Sequence, residues 1–147
     1  MAGRRPYDPI EISVALRSDV LEQVRAIAFE ALSHVALATP VGNPTLWRDP
    51  DRAPPGYVGG HARRNWQVGI ASAPGDEIEG VDPSGGAVLR DGRAVIAQYP
   101  GRQRLYIVNN APYIGRLNDG WSTQAPPLFV EAAIDVAIRA GIARKVL

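Results

Sequence analysis

Leu105-Tyr106-Ile107-Val108-Asn109-Asn110-Ala111-Pro112-Tyr113-Ile114-Gly115-Arg116-Leu117-Asn118-Asp119-Gly120-Trp121 is the stretch on which the fold turns. Its four leading apolar residues, Leu105 to Val108, favour an extended strand. Asn109-Asn110-Ala111-Pro112 ends that strand, because asparagine side chains bond their own backbone and the proline ring fixes φ. One short turn, an Asp-Gly stop and a large indole follow. The stretch holds structural punctuation and aromatic anchors but no catalytic constellation.

Working outward, Ser122 to Pro127 leads into a last helix whose Phe129, Val130, Ala133, Ile134, Ala137 and Ile138 form an apolar stripe, with Gly141 suited to its C-terminal cap. Upstream, Asp82-Pro83-Ser84-Gly85-Gly86 is a turn and helix start. Val88, Gly92, Val95, Ile96 and Tyr99 then share one face of a helix over roughly 84–98, in which Gly92 costs about 1 kcal/mol relative to Ala. Trp66, Val68 and Ile70 alternate with Asn65, Gln67 and Gly69, the period of a half-buried strand over roughly 63–72 that Ala73-Pro74-Gly75-Asp76 ends.

Asp19 followed by Glu22 resembles a capping box, and Val20, Val24, Ile27, Ala28, Ala31, Val35 and Ala38 recur at helical spacing, which predicts an amphipathic helix over roughly 19–38. Before it, Ile10, Ile12 and Val14 alternate with Glu11 and Ser13, the pattern of a short strand or an extended arm over 1–18. After it, five prolines and four glycines between Pro40 and Gly60 forbid any long regular element, so 39–62 is read as a long loop. A loop of that length in a compact domain is normally functional or disordered. Trp47 and Tyr57 within it are poor residues to leave in water, and a partner surface would cover them.

The order helix, long loop, strand, helix, strand, helix predicts one α+β domain over 1–147, a small, mostly antiparallel sheet packed with an N-terminal and a C-terminal helix. Glycine and proline make up 15 and 13 of its residues and cluster in a few windows, so one compact core carries irregular arms. The net charge of +1 lacks the footprint of a dedicated polyanion binder. With no cysteine there are no disulfides, thiolate-bound zinc or thiol nucleophiles. Met1 to Pro9 is not followed by an apolar run of signal-peptide type and no window reaches the length of a membrane span, so a soluble, unexported protein is expected, with no membrane partner.

The two histidines are His34, inside the first helix and read as structural, and His61, a loop residue with no recognisable carboxylate partner; no catalytic residue is assigned. Asp76, Glu77, Glu79 and Asp82 lack the spacing of a calcium or zinc site, and Gly56 to Gly60 lacks the Gly-Lys-Ser/Thr of a phosphate cradle, so no metal and no cofactor is expected and these glycines are read as hinges. Arg52, Arg63, Arg64, Arg102 and Arg104 can form a basic patch for DNA or interface ion pairs. Trp47, Tyr57, Trp66, Tyr113 and Trp121 are the aromatic types that interfaces favour, with a core role equally open to Trp66 and Tyr113.

Three segments carry a family resemblance: Ala38-Thr39-Pro40-Val41-Gly42 after the first helix, Pro54-Pro55-Gly56-Tyr57-Val58-Gly59-Gly60 leading to Ala62-Arg63-Arg64-Asn65-Trp66, and Tyr106 to Tyr113 leading to Leu117-Asn118-Asp119-Gly120-Trp121. In them the chain resembles the tail-completion or neck proteins of long-tailed bacteriophages, whose "TPVDTG…R…W" motif follows the first helix and whose "NNxPYxxxLxxG" motif precedes the last. Thr39-Pro40-Val41, Arg63/Arg64 and Trp66 match the first and the second is complete, although Asn43 to Gly60 is an insertion relative to many relatives. The resemblance implies a non-enzymatic virion component at the head–tail junction, made in the host cytoplasm and assembled as a homo-oligomeric ring such as a hexamer. Its neighbours would be tail terminator, tail tube and head-completion or connector proteins, with genomic DNA only as cargo in the lumen. The interface candidates are Trp47, Tyr57, His61, Arg63, Arg64 and Trp66 in the first part and Asn109, Asn110, Tyr113, Asn118 and Trp121 in the second. Tail-terminator or head-closure roles are alternatives within that class; a DNA-binding module stands outside it, and a small hydrolase using His61 is the weakest reading.

Overall fold

A computed structural model describes residues 18–143, so the strand or arm expected over 1–18 lies outside the described residues except for Ser18. The elements run α1 (Ser18–Ala38), α2 (His61–Arg64), β1 (Trp66–Ile70), α3 (Gly86–Ala97), β2 (Leu105–Asn109), α4 (Ile114–Asn118) and α5 (Phe129–Ala143). The result is the expected small α+β fold, with an antiparallel two-stranded sheet and helices at both ends.

Helix α1 forms the centre of the core because Val24, Ala28, Ala31, Leu32, Val35 and Ala36 fall on one face and are all buried. Its partners come close by giving up side-chain volume. On α5, Ala133, Ala137 and Gly141 recur every fourth residue and are buried, and a Cβ at Gly141 would strike Cγ1 of Ile27. Gly141 therefore lies inside a helix that continues to Ala143 and marks its contact with α1, a correction to the expected C-terminal cap. On α3, a Cβ at Gly92 would strike Cδ2 of Leu32 and stand 3.2 Å from Cγ2 of Val68, so this helix-weakening residue is what allows α3 to sit against both α1 and β1. Arg25 of α1 fastens the far end of α3, its Nε and Nη2 donating to the Tyr99 carbonyl at 3.2 and 2.7 Å.

The strands pair from Trp66↔Asn109 to Ile70↔Leu105. Trp66, Val68, Leu105 and Ile107 thus share the buried face. The expected strand over 63–72 is shorter at both ends, because His61 to Arg64 coil into α2 before the chain extends. That turn is useful: it aims the Arg63 guanidinium back at the end of α1, where Nη2 donates to the carbonyls of Leu37 at 3.1 Å and Thr39 at 2.8 Å and Nη1 donates to that of Pro83. The loop over 39–62 is also more ordered than expected, since Pro44 and Pro50 each start a 3-10 turn and α2 closes it.

Helix α4 begins where the sequence reading placed only a turn, and its last residue supplies what α5 lacks. The Asn118 side chain accepts from the Val130 N–H at 2.9 Å and donates to Glu131 Oε2 at 2.7 Å, while its carbonyl accepts from the Leu128 N–H at 2.6 Å. The first turn of α5 is therefore capped from twelve residues upstream.

Candidate functional site: an aromatic cleft between two segments

The loop after α1 and the segment from α4 to Gln124 face one another across a cleft of about 450 Å³. Local chemistry shapes each wall. On the loop side, Asn43 Oδ1 accepts from the Thr45 N–H at 3.1 Å and hydroxyl at 2.7 Å, which sets the first 3-10 turn. The turns then bring Trp47 and Tyr57 edge to face, ring centroids 5.0 Å apart. On the opposite side stand Tyr113, Leu117 and Trp121, the last 74% exposed with the Arg116 guanidinium stacked 5.4 Å from its ring centroid. Gln124 sets the gap between the walls, donating to the Val41 carbonyl at 2.8 Å and accepting from the Asn43 N–H at 3.3 Å.

His61 sits in the floor, its ring 6.3 Å from that of Tyr113. Its Nδ1 lies 2.8 Å from the Gly80 carbonyl oxygen and its Nε2 lies 2.7 Å from Glu77 Oε1. A carbonyl and a carboxylate only accept, so the form of the ring that satisfies both contacts is the doubly protonated imidazolium. The hydrogen bond to Glu77 is the main cause that holds its pKa above the ordinary 6.5, with burial pulling the other way. Burial raises the pKa of Tyr113 and lowers that of Arg63. Glu77 is the carboxylate partner that the sequence reading did not find, sixteen residues downstream of His61. Its loop is held by amide side chains in place of a strand ladder: Asn65 donates to the Ile78 carbonyl at 3.0 Å and accepts its N–H at 2.7 Å, Gln67 donates to the Asp76 carbonyl at 2.9 Å, and Asn110 donates to the carbonyls of Pro74 and Asp76 at 3.0 and 3.1 Å.

Of the interface candidates, Trp47, Tyr57, His61, Tyr113 and Trp121 meet in this cleft. The other six are internal fasteners. Trp66 is buried and donates through Nε1 to Thr39 Oγ1 at 2.7 Å, and Asn118 is buried beneath α5, so neither faces a partner; each was drawn inward because its polar atom completes a bond the fold would otherwise leave open. Asn109 donates to the Ala62 carbonyl at 2.8 Å, Asn110 grips the 74–76 loop, Arg63 binds three carbonyls, and Arg64 lies 3.6 Å from Asp91. The choice left open for Trp66 and Tyr113 divides: Trp66 belongs to the core, Tyr113 to the cleft wall. Sequence reading missed Leu46, Arg48 and Gln124 in the lining, for which proximity to the aromatics was the available signal only for the first two.

Among the described residues, no group of three or more His, Asp or Glu is placed to hold a metal ion, and no helix is long and apolar enough to cross a membrane. No protein-family model, curated protein or solved structure matches this chain.

Proposed function

We propose that this protein is a structural virion component of the phage head–tail junction, a tail-completion or neck subunit that assembles as a ring. The observation that supports the reading is the cleft itself: the segments that carry the resemblance, together with the Asn43–Gly60 insertion between them, fold against one another and leave Trp121 and Leu46 more than half exposed in its lining. Apolar side chains grouped in this way mark contact surfaces. The His61 geometry supports a non-enzymatic role, since both ring nitrogens are already engaged, by the Gly80 carbonyl and by Glu77, and neither is presented free to a nucleophile. The DNA-binding alternative draws less support, because Arg63 is turned inward, Arg64 faces Asp91 and Arg52 pairs with Asp49 at 3.1 Å. The deciding experiment is a density map of the neck of the particle whose genome encodes this chain. A ring of this fold between portal and tail is the expected result; a neck without it refutes the assignment.

A further inference from the structure

Strand β1 has one edge on β2 and one edge free. The Ala71 N–H donates to the Arg104 carbonyl at 2.8 Å and the Asn110 N–H to the Asn65 carbonyl at 3.4 Å. In the antiparallel register those bonds turn the backbone groups of Gln67 and Gly69 toward β2 and those of Trp66, Val68 and Ile70 the other way. No N–H or C=O of these three residues has a hydrogen-bond partner among the described residues. Sheet edges are commonly protected by proline, by charge or by a bulge, yet Trp66-Gln67-Val68-Gly69-Ile70 has no proline and no charge and pairs without a bulge.

A cavity of about 150 Å³ lies along this edge. It touches Trp66 and Val68, on the core face of the strand, and Gln67, on the other, but no residue of β2, which places it around the free side of β1. Val88, Gly92 and Val95 of α3 form one wall and Ile78 another, and the carboxylate in the lining, Asp91, is engaged by Arg64 at 3.6 Å and Arg90 at 3.2 Å. The space suits one apolar group about the size of benzene, and the open backbone groups beside it recur about every 7 Å, the spacing of an extended chain. We propose that β1 binds an extended peptide of a partner protein as an antiparallel third strand, with one uncharged apolar side chain, leucine in size, seated between α3 and Ile78. The peptide residue opposite Val68 exchanges both backbone bonds with it and sends its side chain to the same face, into the cavity. A second copy's β1 does not meet this requirement, since its Trp66 and Val68 are buried in its own core and edge-to-edge pairing leaves the cavity unfilled. The groove shares no lining residue with the aromatic cleft, so the inference stands apart from the virion assignment.

The probe is the blocked peptide acetyl-Lys-Thr-Thr-Leu-Thr-Thr-Lys-amide, titrated into the isotopically labelled full chain and followed by NMR amide shifts and hydrogen exchange. In the free chain the Val68 amide should exchange fast between slow Gln67 and Gly69 amides, and saturating peptide should slow it at least about tenfold. N-methylation of the leucine nitrogen, which faces β1, is expected to weaken binding at least about tenfold, against less than about threefold for the following threonine, whose N–H faces away. Glutamate in place of the leucine should also weaken it at least about tenfold. Equal losses for the two N-methyl peptides, shifts confined to the aromatic cleft, or no saturable change at Val68 up to millimolar peptide overturn the proposal. Slow exchange at Val68 in the free chain overturns it as well: protection that grows with protein concentration assigns the edge to a second copy, and protection that does not shows the chain covering its own edge.

Discussion

Replacing Asn65 with alanine tests whether a side-chain amide substitutes for a strand. The Asn65 side chain is fully buried, donating to the carbonyls of His61 and Ile78 at 3.0 Å each and accepting the Ile78 N–H at 2.7 Å, with its Nδ2 also 3.4 Å from His61 Nε2. Asn65→Ala removes these bonds and leaves both backbone groups of Ile78, which is partly buried, without the partners Asn65 gave them. A buried group left unpaired costs about 1–3 kcal/mol, and partial access of water puts each of these near the lower end, so the loss is about 2–4 kcal/mol. For a domain of this size that lowers Tm by about 6–12 °C. Asn65→Asp sharpens the test, since it retains the acceptor for Ile78 but sets an oxygen against two carbonyl oxygens. It is destabilising at neutral pH and partly recovers in acid, where a protonated carboxyl donates again. Thermal unfolding by circular dichroism reads the first quantity, and amide hydrogen exchange at Ile78 reads the mechanism. If Tm falls while exchange at Ile78 is unchanged, the residue acts through packing and the strand-replacement argument is refuted.

Three further outcomes follow from the geometry. Gly92→Ala gains about 1 kcal/mol of helix propensity but drives a methyl into Leu32, so a net destabilisation of about 1–3 kcal/mol is expected in urea unfolding, reversed in part by Leu32→Val; a more stable Gly92→Ala protein contradicts the close approach of α3. Because the His61 pKa is raised in the folded state, the His61–Glu77 contribution is complete below the unfolded value of 6.5 and is lost as pH rises through the folded value. The stability gap between the wild type and His61→Ala should therefore narrow as pH rises above the unfolded value of 6.5, and a gap that stays constant with pH overturns the raised pKa. Leu128 holds φ at 60° with its side chain 56% exposed, so Leu128→Gly should raise stability by about 1 kcal/mol while weakening self-association measured by light scattering; a fall in Tm means that its side chain packs on its own subunit.

Helices α1, α3 and α5 and both strands were legible because their signals are local: apolar residues at helical spacing, alternation, and Pro or Gly at the ends. Helices α2 and α4, at four and five residues, are too short to display a period. Gly141 read as a cap because its real reason is Ile27, more than a hundred residues away. Asn118 looked like a turn residue and Glu77 like one of four acidic residues without a metal-site spacing for the same cause: their partners are fixed only once the chain has folded. The aromatic residues of the cleft were visible one by one, but their meeting depends on Gln124 bonding across to residues 41 and 43, a contact with no sequence period behind it.

The amide grip on the 74–78 loop has one more consequence. Asn65, Gln67 and Asn110 hold that loop solely by its backbone atoms, and the side chains of Asp76 and Glu79 are exposed. Nothing in the grip reads which side chains the loop carries. The charge that Asp76 and Glu79 display there can change by mutation while the amides keep the loop in place, so that surface can diversify without endangering the fold.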